Sequence, residues 1–133
     1  MEETLSIIKP DAMERNLEDE IKKVFIKNNF QIVKEKKVKL EKKDAEQFYK
    51  VHETKPFYND LCNYLSSSPV LVMVLKKDNA IADNRKLMGS TNPKEAEAGT
   101  IRKEYGISID KNSVHGSDSI ENAQKEINFF FKD

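Results

Sequence analysis

The run Val70-Leu71-Val72-Met73-Val74-Leu75 decides the fold of this chain. An unbroken apolar run of this length is typical of a strand that is covered on both faces or lies in the middle of a sheet. The loop Ser66-Ser67-Ser68-Pro69 precedes it, and Asp78 after it is predicted to cap a helix that Gly89 ends. We therefore expect the rest of the chain to pack around this strand.

Two further strands are predicted before the central one. The stretch Thr4-Leu5-Ser6-Ile7-Ile8 alternates as a strand does and stops at Lys9-Pro10-Asp11, because proline lacks the N–H that would continue the ladder. In the segment from Phe30 to Leu40, four apolar residues fall at even positions and predict a second strand; they are Phe30, Ile32, Val38 and Leu40. A helix is expected between them, capped by Asn16 and ended by Asn28-Asn29.

A pair of short helices is predicted between the second and the central strand. Asp44 is expected to open the first helix, with Tyr49 on a side away from its packed face. The residues predicted to pack are Ala45, Phe48 and Val51. Proline at position 56 breaks this helix, and a second helical pattern continues to Leu65. Pattern alone favours a core position for Phe57, which follows that proline.

The last third of the chain predicts a long loop and a final helix. The segment from Ser90 to Asn112 has little periodicity, and loops of this length in a compact domain are usually functional or disordered. We expect order, because apolar residues such as Ile101 and Tyr105 can anchor it. Asp118 is predicted to cap the final helix, with Glu121 at the capping-box position. Its predicted buried stripe is Ile120, Ala123, Ile127, Phe130 and Phe131.

The order of elements indicates a βαββαβ core with a four-stranded sheet backed by helices. The 133 residues suffice for one domain, so residues 1–133 are expected to form a single unit. Lys plus Arg and Asp plus Glu each number 23, so no global charge favours nucleic acid or an acidic membrane. Cys62 has no internal disulfide partner and is expected in the core. No apolar run reaches membrane-spanning length, and we expect a cytoplasmic protein.

The stretch Asn112-Ser113-Val114-His115-Gly116-Ser117-Asp118 is the strongest candidate for chemistry. His115 lies in a polar turn, and a neutral imidazole is a good nucleophile near neutral pH because its ordinary pKa is about 6.5. Attack on phosphorus is one reaction open to it. Glu126 falls on the flank of the final helical stripe, where it can orient the imidazole. A surface histidine and a solvated glutamate are the alternatives that these residues alone leave open.

Cations and other polar groups are the remaining candidates. Lys9 is expected at the carboxyl end of the first strand, where ligands of α/β layers often bind, although a solvated lysine fits the pattern equally. Arg85 lies on a different helix face from Leu87 and Met88, so it can reach out of the packed layer. The charged segment from Lys34 to Lys43 is expected to be a solvated face or a protected sheet edge. The glycines form no phosphate-binding loop, which argues against a P-loop or Rossmann kinase.

These motifs together resemble one family. The chain contains Ile7-Ile8-Lys9-Pro10-Asp11, Pro56-Phe57, Asn84-Arg85-Lys86-Leu87-Met88-Gly89, Thr91-Asn92-Pro93, Gly99-Thr100-Ile101-Arg102 and the segment Asn112 to Asp118. In this order they resemble the nucleoside diphosphate kinases over about residues 4 to 131. The resemblance implies an α+β, ferredoxin-like βαββαβ sandwich, with a four-stranded antiparallel sheet covered by helices. It also implies transfer of the terminal phosphoryl group of a nucleoside triphosphate, commonly ATP, to a nucleoside diphosphate.

The resemblance also implies a role for each matching residue. His115 resembles the nucleophile of a ping-pong cycle through a phosphohistidine, and Glu126 resembles the carboxylate that orients it. Ser117 is expected to hold that glutamate. The remaining matches are Arg85 and Arg102 as phosphate cations, Thr91 and Tyr49 as hydroxyl donors, Lys9 and Asn112 as sugar and phosphate contacts, and Phe57 as the aromatic on which the base stacks. Because every base has a π face, such a site predicts low base selectivity.

The implied cofactor is Mg²⁺ carried by the nucleotide phosphates, with no metal ligands from the protein. The implied assembly is a homo-oligomer, a tetramer or a hexamer, with contacts from the loop of about residues 92 to 114. Lys55 stands where arginine is frequent in the family, and the segment Asn16 to Glu18 replaces a helix start that often contains glycine. The chain also ends at Asp133, without the longer tail of many relatives.

Two other functions stay open at this stage. Ferredoxin-like sheets often present aromatic residues to single-stranded nucleic acid, but the balanced charge and the lack of an aromatic pair in a basic strand argue against this as the main role. A phosphohistidine relay protein shares the nucleophile. It would not need Phe57, Arg102 and Asn112 around a nucleotide.

Overall fold

The computed structural model describes residues 1–131, and within this range four strands form one antiparallel sheet. The strands are β1 (Glu2–Ile8), β2 (Gln31–Val38), β3 (Val70–Lys77) and β4 (Val114–Gly116). Their order is β2-β3-β1-β4, and each neighbouring pair is antiparallel. The apolar run is therefore an interior strand, as predicted. β2 is an edge strand with exposed lysines, as expected for the charged segment.

Helices connect the strands in the predicted βαββαβ order, so the predicted α+β, ferredoxin-like fold is confirmed. They are α1 (Pro10–Glu14), α2 (Glu18–Lys27), α3 (Lys42–Phe48), α4 (Tyr58–Leu65), α5 (Ala80–Met88), α6 (Ile101–Tyr105) and α7 (Ile120–Phe130). Short 3-10 turns lie at Lys50–His52 and Pro93–Glu95. Within residues 1–131, no helix combines the length and the apolarity that a membrane crossing requires.

The sheet is buried on both faces, because residues 4–8 of β1 and 70–75 of β3, the two interior strands, are all buried. Side chains alternate between the faces of a strand. On one face, Ile8 and Met73 pack with Phe25 of α2. On the other face, Ile7 and Val72 pack with the helices that include Cys62 and Phe130. Full burial of such a side chain stabilises the fold by about 1.5–3 kcal/mol.

The helix starts differ from the predicted caps by one to three positions. Asn16 has a φ of +58° and lies before the cap position, which Leu17 occupies. Glu41 caps α3 in place of Asp44, whose carboxylate instead accepts from the Glu41 N–H at 3.2 Å. Asn16 instead lies in the turn before α2, and Asp44 lies in the first turn of α3.

The same correction applies to α5 and α7. Asn79, not Asp78, caps α5, and its φ of +56° places it in the left-handed region that asparagine tolerates. Ser119, not Asp118, caps α7, because the Ser119 hydroxyl accepts from the Asn122 N–H at 3.1 Å. The Asp118 carboxylate accepts from the Asn122 side chain at 2.7 Å.

Several side chains lie in an environment that differs from the predicted one. Val51 is 83 % exposed and Tyr49 is buried, because α3 ends at Phe48 and the following 3-10 turn changes the helical period. Ile120 is 60 % exposed at the first position of α7. Phe57 is 46 % exposed, so the core position that the pattern favoured is wrong.

The segment from Ser90 to Asn112 is more regular than predicted. It contains the 3-10 turn Pro93–Glu95 and helix α6, which begins after Thr100. The Thr100 hydroxyl accepts from the Lys103 N–H at 3.3 Å, and this contact caps α6. Ile101 is buried, so the predicted apolar anchor of this segment is confirmed.

Candidate active site

His115 lies in the middle of β4, opposite Ile7 of β1. The preceding Val114 side chain is fully buried, so strand alternation turns the imidazole toward the surface. The His115 side chain is 20 % exposed. The short strand therefore holds the ring rigidly while leaving one side open.

A series of hydrogen bonds through Glu126 and Ser117 orients the imidazole ring of His115. His115 Nε2 lies 3.0 Å from Glu126 Oε1, and the Ser117 hydroxyl donates to the same oxygen at 2.8 Å. The Leu5 N–H donates to the Ser117 hydroxyl at 3.2 Å. Because a carboxylate only accepts hydrogen bonds, it selects the imidazole tautomer with the proton on Nε2. Nδ1 is then left with its lone pair.

An aromatic wall lies beside the imidazole. The Phe48 ring meets the His115 ring edge-on, with centroids 5.3 Å apart, and Phe129 packs behind Phe48. A cleft of about 450 Å³ opens here, lined by His115 and Glu126 together with residues of α3 and of the turn after it. The imidazole is therefore accessible to a ligand.

Lys9 and Asn112 form a polar pair that joins the end of β1 to the turn before β4. Lys9 Nζ donates to Asn112 Oδ1 at 2.9 Å, and Asn112 Nδ2 donates to the Thr91 carbonyl at 3.1 Å. Both Lys9 and Asn112 are buried. Burial, and secondarily the positive charge of Arg102, lowers the pKa of Lys9 to about 8. Negative charges on Asp11 and Asp110 act in the opposite direction.

Arg102 contacts the backbone of the residue that precedes His115. Its Nη1 donates to the Gly89 carbonyl at 3.0 Å and its Nη2 to the Val114 carbonyl at 2.9 Å. Burial, and then the nearby charge of Arg85, lowers the pKa of Arg102 to about 10, so the guanidinium stays charged at neutral pH. Arg85 itself is exposed on α5, as its predicted helix face indicated. The two guanidiniums and Lys9 form one positive region.

Tyr49 is buried near this region, where it can act as a hydroxyl donor. Burial, and then the negative charge of Glu126, raises the pKa of Tyr49 above its ordinary value. The phenol therefore remains protonated at neutral pH. Phe57 lies farther out, on the turn before α4, with its ring centroid 5.8 Å from that of His52. The structure thus places Phe57 at an exposed rim.

Comparison with known proteins identifies the family. The family model described as nucleoside diphosphate kinase matches residues 2–133. The chain belongs to the nucleoside diphosphate kinase family. A nucleoside diphosphate kinase of Campylobacter curvus is 59 % identical over 131 residues, which cover 98 % of this chain and 96 % of that protein. One of Nitratiruptor is 57 % identical with the same coverage.

Solved structures of the nucleoside diphosphate kinase family share the fold. The Aquifex aeolicus enzyme superposes with a TM-score of 0.97 at 40 % identity, covering 98 % of this chain and 95 % of that one. The Encephalitozoon cuniculi enzyme gives 0.96 at 39 % identity, covering 100 % and 90 %. The chain is accordingly an enzyme, a kinase of nucleotide metabolism within the transferases.

Two residues that have no role in the prediction from sequence lie next to the candidate site of this nucleoside diphosphate kinase. Asp11 belongs to the quoted strand-end motif, and its buried carboxylate contacts Ser113 of the histidine turn. Phe48 was assigned to packing alone, yet its ring contacts His115. The signal for Asp11 was its position two residues after Lys9. The edge contact of Phe48 depends on the relative placement of α3 and β4, which no local pattern encodes.

Proposed function

We propose that this chain transfers the terminal phosphoryl group of a nucleoside triphosphate, commonly ATP, to a nucleoside diphosphate by a ping-pong mechanism through a phosphohistidine at His115. The observation that carries the proposal is the hydrogen bond between His115 Nε2 and Glu126, beside a positive region. It leaves Nδ1 as the nucleophilic nitrogen. A ring held at one nitrogen and open at the other suits repeated acceptance and release of the same group.

The transfer consists of two half-reactions, and each forms one bond to phosphorus and breaks another. In the first, the Nδ1 lone pair forms a bond to the terminal phosphorus, and the bond from phosphorus to the bridging oxygen breaks. That oxygen leaves with the nucleoside diphosphate. In the second, a terminal phosphate oxygen of the acceptor attacks the phosphorus, and Nδ1 leaves with its electron pair. Glu126 keeps the proton on Nε2 and stabilises the positive charge that phosphorylation places on the ring.

The cations have a separate task. Phosphoryl transfer passes through a loose transition state whose charge is spread over the peripheral oxygens, so positioned donors matter more than a strong base. Arg102 and Arg85 provide guanidinium donors, and Lys9 adds an ammonium. Backbone carbonyls hold Arg102 in place before any nucleotide binds. Thr91 and Tyr49 add hydroxyl donors, and Asn112 contacts the sugar or the phosphates.

The nucleotide base needs a less specific contact with the protein than the phosphates do. We propose that it stacks on Phe57, whose exposed ring is available for that contact. Stacking reads no base edge, so it discriminates weakly between bases. Low base selectivity follows from this geometry.

We propose that Mg²⁺ reaches this site bound to the phosphates of the nucleotide substrate. Within residues 1–131, no group of three or more His, Cys, Asp or Glu side chains could hold a metal ion. Mg²⁺ is commonly bound through substrate phosphates with one or two carboxylates at most. When bound, it neutralises part of the phosphate charge. We further propose a single domain over residues 1–133, a homo-oligomeric tetramer or hexamer, and a cytoplasmic location.

A half-reaction assay tests this function with a matched histidine control. Incubation with labelled ATP and Mg²⁺ should label the wild-type chain and release ADP, and added GDP, CDP or UDP should each discharge the label. His115→Ala should take up no label and lose essentially all transfer. His52→Ala, which removes the only other histidine of the chain, should still become labelled. Labelling of His115→Ala, or discharge by a single base only, would contradict the proposal.

A further inference from the structure

The carboxylate of Asp11 is buried next to the site and has no part in the proposed transfer chemistry. Its side chain is 2 % exposed. A buried carboxylate is costly unless hydrogen bonds or a counter-charge compensate it. Its contacts therefore indicate what it does.

Ser113 is held to Asp11 at two atoms. The Ser113 N–H donates to Asp11 Oδ1 at 3.3 Å, and the Ser113 hydroxyl donates to Asp11 Oδ2 at 2.9 Å. The Lys9 N–H donates to the Ser113 carbonyl at 2.8 Å. The strand-end motif thus fixes Ser113 at its amide, its side chain and its carbonyl.

We call the two hydrogen bonds from Ser113 to the Asp11 carboxylate the Asp11 clamp. The backbone conformation of Ser113 explains why this clamp matters. Its φ is +75°, in the left-handed region that residues with a Cβ rarely occupy. Ser113 follows Asn112 and lies two residues before His115. A change of its φ would therefore reorient the Asn112 amide and the start of β4 together.

Two further side chains donate to the same carboxylate oxygens of Asp11. Arg15 Nη2 donates to Asp11 Oδ2 at 3.0 Å, and the Tyr64 hydroxyl donates to Asp11 Oδ1. Burial, and then the hydrogen bond to Asp11, raises the pKa of Tyr64, so this donor keeps its proton. Asp11 is thereby anchored to α4, which lies apart from the histidine turn in sequence.

We propose that Asp11 is a positioning residue that holds Ser113 in the left-handed conformation and so places Asn112 and His115 for transfer. This inference rests on the proposed function. The contacts of the Asp11 carboxylate give it two roles. One is the ion pair with Arg15, whose Nη2 also donates to the Ser113 hydroxyl at 3.3 Å. The other is the placement of the histidine turn through the amide and the hydroxyl of Ser113, which affects turnover.

Glycine at position 113 distinguishes the two roles. Glycine occupies the left-handed region without steric cost, so it needs no clamp to hold it there. Alanine at the same position removes the hydroxyl but keeps the Cβ. If Asp11 acts through the conformation of Ser113, its removal should matter less when residue 113 is glycine.

The experiment is a double-variant cycle in the full chain, with kcat, KM and Tm measured for each protein. Asp11→Asn should lower kcat at least about tenfold, as expected when a reacting group is misplaced. In the Ser113→Gly background the same change should cost less than about threefold. Ser113→Ala should have a lower kcat than Ser113→Gly. Asp19→Asn, an exposed carboxylate change in α2, serves as the control and should match wild type.

The outcomes separate this inference from the proposed function. Equal losses of kcat from Asp11→Asn in both backgrounds, or a fall in Tm with unchanged kcat, would overturn the positioning role. If Asp11→Asn does not fold, equal kcat values for Ser113→Ala and Ser113→Gly overturn it instead. A wild-type chain that ATP does not phosphorylate contradicts the proposed function itself, before any variant is compared.

Discussion

The two ends of the proposed site are built differently. At the end that would bind phosphates, Lys9, Arg102 and Glu126 each hold a hydrogen bond to another part of the chain. At the end that would bind the base, Phe57 is 46 % exposed and contacts His52 at a ring distance of 5.8 Å. One end is fixed before a ligand arrives, whereas the other offers an open surface.

The proposed reaction needs precise positioning at the phosphate end more than at the base end. Negative charge is spread over the oxygens around the transferred phosphorus, and donors that are already in place stabilise it without reorganisation. The base is far from the bond that breaks, so its contact needs only area and a flat face. The following changes test whether the fixed end controls turnover and the open end controls affinity.

Removal of Arg102 should have the largest effect. Arg102→Ala deletes a partly buried guanidinium and its contacts to the Gly89 and Val114 carbonyls, and we expect kcat to fall about 10²–10³-fold, the range for removal of one preorganised donor. Steady-state transfer from ATP to GDP measures it. Lys103→Ala, which removes an exposed cation from the same helix, should stay within about twofold of wild type. Similar losses in both variants would mean that total charge, not position, matters.

The pH dependence of kcat/KM tests the charge of Lys9. Its pKa is lowered to about 8, so the free enzyme loses this positive charge as the pH rises through 8. Because kcat/KM reports ionisations of the free enzyme, it should decline above about pH 8. In Lys9→Arg the charge persists, so that decline should move to higher pH or vanish. A flat profile for the wild-type chain between pH 7 and 9 would contradict this role.

The smallest change is expected at the base end. Phe57→Ala removes the stacking surface, which is worth about 1–3 kcal/mol per base, so KM should rise by about one order of magnitude or somewhat more while kcat changes little. The rise should be similar for GDP, CDP and UDP. Phe57→Tyr keeps the ring and should retain the wild-type KM. A large loss of kcat, or a rise in KM for one base alone, would contradict the assignment of turnover to the phosphate end and of affinity to the base end.

Local patterns were sufficient to predict the strands of the sheet. The apolar run of β3 and the strand-ending Pro10 depend on short-range chemistry, and both appear in the structure as expected. The predicted caps were wrong because neighbouring polar residues divide the nearby donors between them. Ser119 accepts from the Asn122 backbone N–H, whereas Asp118 accepts from the Asn122 side chain.

What could not be predicted depends on tertiary placement. The exposure of Val51 follows from a 3-10 turn that the 3.6-residue period does not reveal. The Asp11 clamp joins positions 102 residues apart in the chain. The family motif contained Asp11, but only the coordinates show that Ser113, at a positive φ, is its partner.

Phosphorus NMR of the chain after reaction with ATP tests the central claim most directly. The chemical shift distinguishes phosphoryl groups on the two imidazole nitrogens and on carboxylates. Because Nε2 of His115 is occupied by Glu126, we expect a single acid-labile phosphohistidine signal from Nδ1. A signal from Nε2, from a carboxyl phosphate, or from a chain in which His115 is replaced by alanine would contradict the account.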